Sequence, residues 1–175
     1  KAYEIIFALD PSSDNTEKII LGEIKRNKNI RLLVFSRRFG QPAATIAGIL
    51  NCKGSYCVII DVDLQDPPEK IEELYKKIIS GFEVVYAKRK SRKGETFFKK
   101  IISSIGYYLI NKLSDIHIPR DAGDYRIISR RVIDHLEELN ESHGFLRGMV
   151  AYIGFNQTFV EYDRNIRYAG RGKYN

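Results

Sequence analysis

The chain alternates short apolar runs with longer stretches in which apolar residues recur every three or four positions. The short runs cover residues 4–9, 30–35, 56–60 and 84–87. Stretches with helical spacing lie between them, at residues 14–27, 42–51 and 71–79. Short apolar runs are typical of buried strands, whereas a period of 3.6 residues is typical of amphipathic helices. The first half therefore predicts an α/β fold of β-α-β units, with a mainly parallel sheet and helices on both faces.

The second half follows a less regular pattern. Its apolar spacing predicts a long amphipathic helix at residues 97–113 and a loop at residues 114–123. A strand, two helices and a strand are predicted next, at residues 125–128, 130–139, 144–153 and 158–162. A basic, glycine-containing tail follows at residues 164–175. No internal repeat or low-complexity linker divides the sequence, so residues 1–175 are predicted to form a single domain.

Local signals set the predicted ends of the helices. Asp14 and Glu17 have the spacing of a capping pair for the first helix. Pro42 has the fixed φ that suits the first turn of the second helix, and Gly81 can end the third. Asp66, followed by two prolines, is predicted to cap that third helix at its N-terminus.

Composition adds limits to this picture. With 43% hydrophobic residues, the 175-residue chain can bury a core and is expected to be soluble as written. No stretch approaches the roughly 18 consecutive apolar residues of a membrane span, and no signal-peptide pattern is found. Cys52 and Cys57 are too few for a disulfide framework. Reduced thiols in a cytosolic setting are therefore expected, with Cys57 packed in the core.

The positive charge is concentrated in one basic segment, residues 88–100. Its sequence, KRKSRKGETFFKK, contains seven Lys or Arg and one Glu, and so carries +6 of the formal net charge of +7. Such a cluster can bind nucleic acid, an anionic membrane surface or a phosphorylated substrate, or it can be a solvated loop. Phe97 and Phe98 suit insertion into a membrane interface or the buried face of a helix.

A cluster of acidic residues follows the third apolar run. Asp61 and Asp63 lie one residue apart beyond Ile60, and Gln65 continues the alternation, so these side chains share a face if the strand continues. Carboxylate and amide oxygens suit Mg²⁺ or Mn²⁺, which often binds one or two carboxylates together with substrate phosphates. An isolated pair of aspartates is more often an acidic loop. Here the strand before the pair and the Gln-Asp-Pro-Pro after it favour a metal site beside a diphosphate.

Seven blocks occur in order along nearly the whole chain: FALDPSSDNT, FSRRFGQPAATIAGI, DVDLQDPPE, YAKRKSRKGE, DAGDYRIISRRV, GFLRGMVAYIGF and RYAGRGKY. They resemble the polyprenyl-phosphate glycosyltransferases of glycosyltransferase family 2, a group that includes dolichol-phosphate mannose synthases and bactoprenol glucosyltransferases. Several blocks in the right order make the resemblance specific. It implies a Rossmann-like GT-A fold and a nucleotide-sugar donor, with a UDP-sugar favoured. It also implies Mg²⁺ or Mn²⁺ and a polyprenyl phosphate acceptor at the cytoplasmic face of a membrane.

The resemblance assigns roles on the donor side of the reaction. Asp10 matches the acidic residue of an Asp-Asp-Gly-Ser motif that contacts the base or ribose of the donor. Residues 9–12 here read LDPS, without the first Asp and the Gly of that motif. Asp61 matches a residue that contacts nucleotide or sugar, while Asp63 and Gln65 match the metal ligands.

On the acceptor side, Asp124 in the segment GDYR matches the catalytic aspartate. A phosphate monoester has a second pKa of about 6, so it is already largely an anionic nucleophile near neutral pH. A strong general base is then unnecessary. Asp124 is expected either to accept the remaining proton of a monoanion or to orient acceptor and donor for in-line attack. Asp121 is a weaker candidate for the same role.

Several basic residues of the matched blocks can bind phosphate. Arg92 matches a phosphate-contacting position, where a forked guanidinium is better suited than Lys. Four further cations can serve the acceptor phosphate, the donor diphosphate or lipid headgroups: Arg126, Arg147, Arg171 and Lys173. Arg126 can instead be a structural partner of Asp124. The sequence does not divide these roles among the residues.

Together these patterns predict the catalytic domain of an inverting, metal-dependent glycosyltransferase. Its expected partners are a nucleotide-sugar, a polyprenyl phosphate and an anionic membrane surface. Nucleic acid is not expected, and association between copies of the chain is left open. Relatives of this kind normally have an additional N-terminal strand, and many have C-terminal membrane helices. The chain is therefore expected to be either part of a longer, membrane-anchored protein or a degenerate member that binds donor weakly.

Three other functions stay open from the sequence. A family 2 transferase with a soluble or saccharide acceptor has the same metal site but does not need the basic segment. A nucleotidyltransferase shares the sheet and the acidic pair, but is expected to carry a Gly-rich phosphate loop, which this sequence lacks. A non-catalytic basic module that binds membranes or nucleic acid explains the charge. It does not explain why Asp61, Asp63 and Gln65 occur together.

Overall fold

The computed structural model describes residues 2–90, 122–139 and 145–164. The predicted helix at residues 97–113 lies outside these ranges, as do most of the predicted loop that follows it and the tail from residue 165. The basic segment is described only at residues 88–90. Within the described ranges, no helix is long and apolar enough to cross a lipid bilayer.

The short apolar runs form strands and the amphipathic stretches form helices, close to the predicted bounds. The strands are β1 (Ile5–Leu9), β2 (Ile30–Val34), β3 (Tyr56–Ile59), β4 (Val84–Arg89), β5 (Ala122–Ser129) and β6 (Gln157–Tyr162). The helices are α1 (Thr16–Arg26), α2 (Gln41–Leu50), α3 (Ile71–Ile78), α4 (Arg130–Glu138) and α5 (Leu146–Ile153), with a 3₁₀ turn at Pro68–Lys70. Strands and helices alternate along the first half, which confirms the α/β class. β5 begins earlier than predicted, within the expected loop.

The strands form two hydrogen-bonded sheets. β1 and β2 are parallel, and the second sheet has the order β3-β5-β4-β6. In this second sheet β5 runs antiparallel to both neighbours, while β4 and β6 are parallel. The pairing is therefore more mixed than the predicted mainly parallel sheet, because β5 enters between β3 and β4 in the opposite direction. The apolar pattern does not reveal the direction, since a strand covered on both faces is apolar throughout in either case.

Helices cover both faces of the four-stranded sheet, as predicted. One core cluster joins α2, α4 and α5 to Val84 and Ile128, on the side that we call the α2 face. A second cluster joins α3 to Val85 and Ile127, on the α3 face. Successive side chains of a strand point to opposite faces. The alternation therefore assigns the even-numbered residues of β5 to the α2 face.

α2 packs on the four-stranded sheet, and the segments next to both of its ends contact residues next to β1. Beyond the end of β1, the Asp10 carboxylate accepts hydrogen bonds from the backbone N–H groups of Phe39 and Gly40, at 3.0 and 2.9 Å. Just before β1, the Glu4 carboxylate accepts a hydrogen bond from the N–H of Lys53, which follows α2. The C-terminal end of β1 therefore lies near the N-terminus of α2. Among the described strands, none is hydrogen-bonded to strands of both sheets. The additional N-terminal strand expected from the resemblance stays a prediction.

The start of α1 differs from the predicted capping pair. The helix begins at Thr16, and Asn15 occupies the cap position. The Asp14 carboxylate accepts the N–H of Thr16 at 2.9 Å, so it does bind the first turn. It stands one residue too early, however, for the predicted pairing with Glu17. Gly81 follows α3 with a φ of +108°, a conformation that glycine adopts without strain.

Candidate active site

The carboxylates that follow β3 in the sequence lie close to one another beyond the C-terminal end of that strand. Asp61 is partly buried there, and its carboxylate accepts a hydrogen bond of 2.9 Å from the side-chain amide of Gln41, the first residue of α2. Burial raises the pKa of Asp61, and the negative charges of Asp66, Asp63 and Asp124 raise it further. Three carboxylates, one of them from a distant part of the sequence, therefore lie close enough to Asp61 to act on it electrostatically.

A turn, and not a continuing strand, places Asp63 and Gln65. β3 ends at Ile59, and the Asp63 carboxylate accepts the backbone N–H of Gln65 at 3.1 Å. Leu64 between them has a φ of +58°, a left-handed conformation that costs a residue with a Cβ about 1–2 kcal/mol. The strand does not continue through Gln65, so the condition under which these side chains would share a face is not met. Asp61 and Asp63 are nevertheless close enough for their charges to interact.

The oxygen donors of this acidic turn, residues 61–66, fit a hard divalent cation. Within residues 2–90, 122–139 and 145–164, no three His, Cys, Asp or Glu side chains form a group that could hold a metal ion. Mg²⁺ commonly takes only one or two protein ligands when phosphates supply the rest, and the Asp63 carboxylate with the Gln65 amide oxygen meets that need. Burial and then the charges of the neighbouring carboxylates raise the pKa of Asp61, and a cation at this turn would offset the charges of these carboxylates. These residues therefore fit a cation shared with the phosphates of a ligand.

Asp66, predicted to cap the next helix, is instead buried. Only 3% of its surface is exposed, and its carboxylate accepts a hydrogen bond from the Tyr162 hydroxyl of β6. Arg164 lies 3.8 Å from the same carboxylate, and the Tyr125 hydroxyl donates to the carbonyl of Pro67 at 2.8 Å. The capping prediction is wrong because Asp66 points into the sheet, toward a strand 96 positions later in the sequence. Asp66 thereby anchors the acidic turn to β6.

Asp124 lies where the pairing of β5 with β4 changes register. The pairs on either side of the change are Tyr86 with Arg126 and Lys88 with Ala122. Three residues of β5, 123–125, thus lie between these pairs against one residue of β4, Ala87, as in a β-bulge, a feature that re-aims side chains and is common beside active sites. The pairing of β5 with β3 ends at Arg126 and Ile59, so Asp124 and Asp61 each lie two residues beyond the last pair, at the same end of these two strands. This agrees with the contribution of Asp124 to the raised pKa of Asp61.

Two arginines lie close to Asp124. Arg147, in the first turn of α5, forms a salt bridge with it, with 3.0 Å between Nε and Oδ1. Arg126 is only 3% exposed and donates to the carbonyl of Gly123 at 2.9 Å, while its Nε has no hydrogen-bond partner among the described residues. Burial lowers the pKa of Arg126 to about 10, and the charge of Asp124 opposes that shift. The burial of Arg126 near Asp124 favours one alternative left open by the sequence, that Arg126 is a structural partner of Asp124.

Asp10 fixes the loop that precedes α2. Both of its carboxylate oxygens accept backbone N–H groups there, from Phe39 and Gly40. Gly40 has a φ of +89°, which glycine adopts at no steric cost, and Gln41 follows it. The Asp10 carboxylate therefore has a structural task in this conformation. Its contact with the base or ribose of a donor stays a prediction.

Sequence patterns do not single out two residues of this region. Gln41 orients Asp61, and its only signal is its place just before Pro42 in a matched block. Tyr162 binds Asp66, and no local signal identifies it, because the contact depends on the pairing of β4 with β6. The predicted site residues that lie outside the described ranges are Arg92, Asp121, Arg171 and Lys173.

Comparison with known proteins gives this site a family context. The sequence profile of glycosyl transferase family 2 matches residues 1–137. The chain is 45% identical over 172 residues to the uncharacterized glycosyltransferase YkcC of Bacillus subtilis. It is 40% identical over 173 residues to the uncharacterized glycosyltransferase sll0501 of Synechocystis. It is 37% identical over 172 residues to the bactoprenol glucosyl transferase of Shigella phage SfX.

These three matches cover 98–99% of the chain but 53–56% of the relatives, so the chain spans about half the length of the curated relatives it matches. The region matched by the family profile runs from β1 into α4 and contains Asp10, the acidic turn and Asp124. The α/β architecture and the position of the carboxylates beyond β3 agree with the motifs that carried the resemblance. The chain therefore belongs to glycosyltransferase family 2.

Proposed function

We propose that the protein is an inverting glycosyltransferase that moves a sugar from a nucleoside diphosphate sugar, with a UDP-sugar favoured, to a polyprenyl phosphate. The observation that carries this proposal is the convergence of Asp61, Asp63 and Asp124 beyond β3, where burial and the charges of the other carboxylates raise the pKa of Asp61. Membership of family 2 supports sugar transfer. Relatives named bactoprenol glucosyl transferase support a lipid-linked acceptor.

On the donor side, the acidic turn would receive the diphosphate. Asp63 and Gln65 would hold Mg²⁺ or Mn²⁺, which supplies positive charge to the leaving diphosphate. Asp61, fixed by the side chain of Gln41 at 2.9 Å, would accept hydrogen bonds from hydroxyl groups of the sugar or ribose. Asp10 holds the loop before α2, beside this position, and would bring the base or ribose against that loop.

On the acceptor side, Asp124 would orient the reacting phosphate. A phosphate oxygen attacks the anomeric carbon and forms a new C–O bond while the bond from that carbon to the diphosphate breaks, so the nucleoside diphosphate leaves with its electron pair. Attack opposite the leaving group inverts the configuration. Because Arg147 already holds the Asp124 carboxylate at 3.0 Å, this carboxylate suits orientation better than proton abstraction. Arg126 and Arg147 also offset the repulsion between Asp124 and an anionic acceptor.

The basic segment would hold the protein at the cytoplasmic face of a membrane. Its first residues, Lys88 and Arg89, end β4 beside the bulge that carries Asp124, and Lys90 follows them. Each Lys or Arg near an anionic lipid surface contributes about 1 kcal/mol to binding. The membrane surface and the candidate position of the acceptor would therefore lie at the same end of β4 and β5.

The test is a transfer assay with the full-length protein. Radiolabelled UDP-glucose, UDP-galactose, UDP-N-acetylglucosamine and GDP-mannose are each offered with polyprenyl phosphate in anionic vesicles, with and without Mn²⁺ or Mg²⁺. The expected result is a labelled lipid from one donor, formed only when the metal is present. Labelled soluble saccharide without labelled lipid would overturn the acceptor assignment and favour a soluble acceptor. Metal-independent transfer would overturn the role of Asp63 and Gln65.

A further inference from the structure

Two cysteines lie at the opposite end of β3 from the acidic turn. Cys52 is in the loop between α2 and β3, and Cys57 is the second residue of β3. Both are free thiols, both are partly buried, and both pack against the core cluster of the α2 face. The proposed sugar transfer uses neither of them.

The two thiols and one guanidinium form a contact group. The Nη2 of Arg130 donates to the Sγ of Cys52 at 3.4 Å and to the carbonyl oxygen of Cys52 at 2.8 Å. Cys57 packs against the same core cluster as Cys52, close enough for each thiol to shift the pKa of the other. The Cys52 sulfur therefore receives a hydrogen bond from a cation and has a second thiol nearby. A cationic donor aimed at a sulfur stabilises its thiolate form.

Arg130 is held firmly in this position. It is the first residue of α4, and its backbone N–H donates to the carbonyl of Ser55 at 2.8 Å. Its Nε and Nη2 also donate to the carbonyl of Gly54, at 3.1 and 2.6 Å. A Cβ at Gly54 would lie 3.0 Å from the carbonyl oxygen of Tyr56, so the turn between the cysteines is built around a glycine. The guanidinium is therefore part of the loop structure and not a freely moving surface charge.

The charges around the pair favour ionisation of Cys52 over Cys57. The interaction with Cys57 and the charge and hydrogen bond of Arg130 together lower the pKa of Cys52 to about 7, against the opposing effects of burial and the charge of Glu4. The interaction with Cys52 and burial raise the pKa of Cys57. A nucleophilic thiolate beside a protonated thiol is the arrangement that forms a disulfide in two steps.

We propose that Cys52 is a peroxide-reactive thiol and that Cys57 is its resolving partner, so that the α2–β3 loop is a site of reversible disulfide formation. In the first step the Cys52 thiolate attacks a hydroperoxide oxygen, the O–O bond breaks, and one proton is taken up to give Cys52 sulfenic acid and an alcohol or water. In the second step the Cys57 sulfur attacks the sulfenic sulfur and water leaves. Two electrons pass from the dithiol to the hydroperoxide, and an external thiol reverses the reaction.

The first experiment treats the reduced protein with hydrogen peroxide and follows its intact mass. The expected result is the loss of two hydrogens and of both alkylatable thiols, reversed by dithiothreitol. Cys57→Ser is expected to stop at a sulfenic acid that dimedone traps on residue 52. Cys52→Ser is expected to lose the peroxide reaction. An unchanged mass of the wild-type protein would overturn the proposal. It would also be overturned if Cys57 in the Cys52→Ser variant were oxidised, as shown by dimedone trapping, as fast as the wild-type protein reacts with peroxide.

The second experiment tests the part played by Arg130. Arg130→Gln should slow the peroxide reaction several-fold near neutral pH, since each unit of increase in the pKa lowers the thiolate fraction about tenfold. Arg131→Gln is the matched control, because Arg131 is the neighbouring cation of α4 and contacts Glu83 and Phe155 instead. Equal rates for the two variants would overturn the role of the guanidinium.

A third measurement needs no variant at position 130. The rate of Cys52 alkylation by iodoacetamide is followed from pH 6 to pH 10 in the wild-type protein. The groups that face the thiol are Arg130, Cys57 and Glu4, with Asp134 lying 3.8 Å from the guanidinium. A midpoint below that of an ordinary thiol, about 8.5, is expected. A midpoint at or above that value would contradict the proposal.

Discussion

Arg147 and Asp124 form a salt bridge of 3.0 Å that ties the first turn of α5 to the bulge of β5. The helix packs on the α2 face through Leu146, Met149 and Val150, so the arginine is positioned by the core and in turn positions the carboxylate. Asp124 is therefore held in place before any substrate arrives. Such preorganisation is worth most when a group has to orient two reactants.

Asp124→Asn should retain donor binding while sugar transfer falls by roughly a hundredfold or more, because the amide keeps the size of the side chain but loses its charge. Transfer is measured with labelled donor and polyprenyl phosphate, and donor binding by calorimetric titration. Asp134→Asn, at an exposed position of α4, is the matched control and should transfer normally. Near-normal turnover of the Asp124 variant would refute a catalytic role.

Asp63→Ala should abolish metal-dependent binding of the donor in the full-length protein. The substitution removes a carboxylate oxygen from the turn and also the acceptor that receives the Gln65 N–H at 3.1 Å. Calorimetric titration with and without Mn²⁺ measures the effect. Glu72→Gln, an exposed acid of α3 paired with Lys76, is the control for a general loss of negative charge. Unchanged affinity of the Asp63 variant would remove the metal assignment.

Asp61→Asn should stabilise the metal-free protein at neutral pH. The folded-state pKa of Asp61 is raised by burial and by neighbouring carboxylates, so the folded state binds the proton more tightly than the unfolded state. The contribution of Asp61 to the free energy of unfolding is therefore lost as the pH rises above the pKa of the unfolded state, about 3.9, and through the higher pKa of the folded state. Asn carries no charge, and its side-chain oxygen can still accept from Gln41.

The measurement for this variant is thermal unfolding from pH 3 to pH 8 in the presence of a chelator. The melting temperature of Asp61→Asn should exceed that of the wild type at pH 7, and the difference should shrink toward pH 3. A variant that is less stable than the wild type at pH 7 would contradict the prediction that the charge of Asp61 destabilises the metal-free protein.

Tyr162→Phe should lower the free energy of unfolding by about 1–3 kcal/mol, because the buried Asp66 carboxylate loses its hydroxyl donor while the ring is kept. Urea unfolding measures the change. Tyr152→Phe is the matched control, since Tyr152 is 65% exposed, and should change stability by less than about 0.5 kcal/mol. Equal effects of the two substitutions would indicate that the Asp66 contact contributes nothing.

The sequence predicts the α/β class and most element bounds because those depend on local periodicity. The run at residues 56–60 ends where the carboxylates begin, which is enough to predict that Asp61 and Asp63 lie at a strand end. It is not enough to predict the turn at Leu64, since a leucine with a left-handed φ breaks the usual preference.

Features that depend on contacts between residues far apart in the sequence cannot be predicted from local periodicity. The antiparallel entry of β5 sets Asp124 opposite the acidic turn, yet its residues read like those of any strand covered on both faces. Arg126 has the residue type of a surface cation, and only the position of β5 between two strands explains its burial. Asp66 looks like a cap because its partner lies far along the sequence.

The Asp66–Tyr162 contact also bears on the order in which the molecule assembles. It joins residues 96 positions apart, so the turn with Asp63 gains its anchor only after the last described strand has docked. Contacts of long sequence separation form late, because closing the intervening chain costs entropy before the contact forms. During synthesis the acidic turn would therefore emerge early and stay without this anchor until β6 is complete. Binding of the proposed donor would then become possible only at the end of folding.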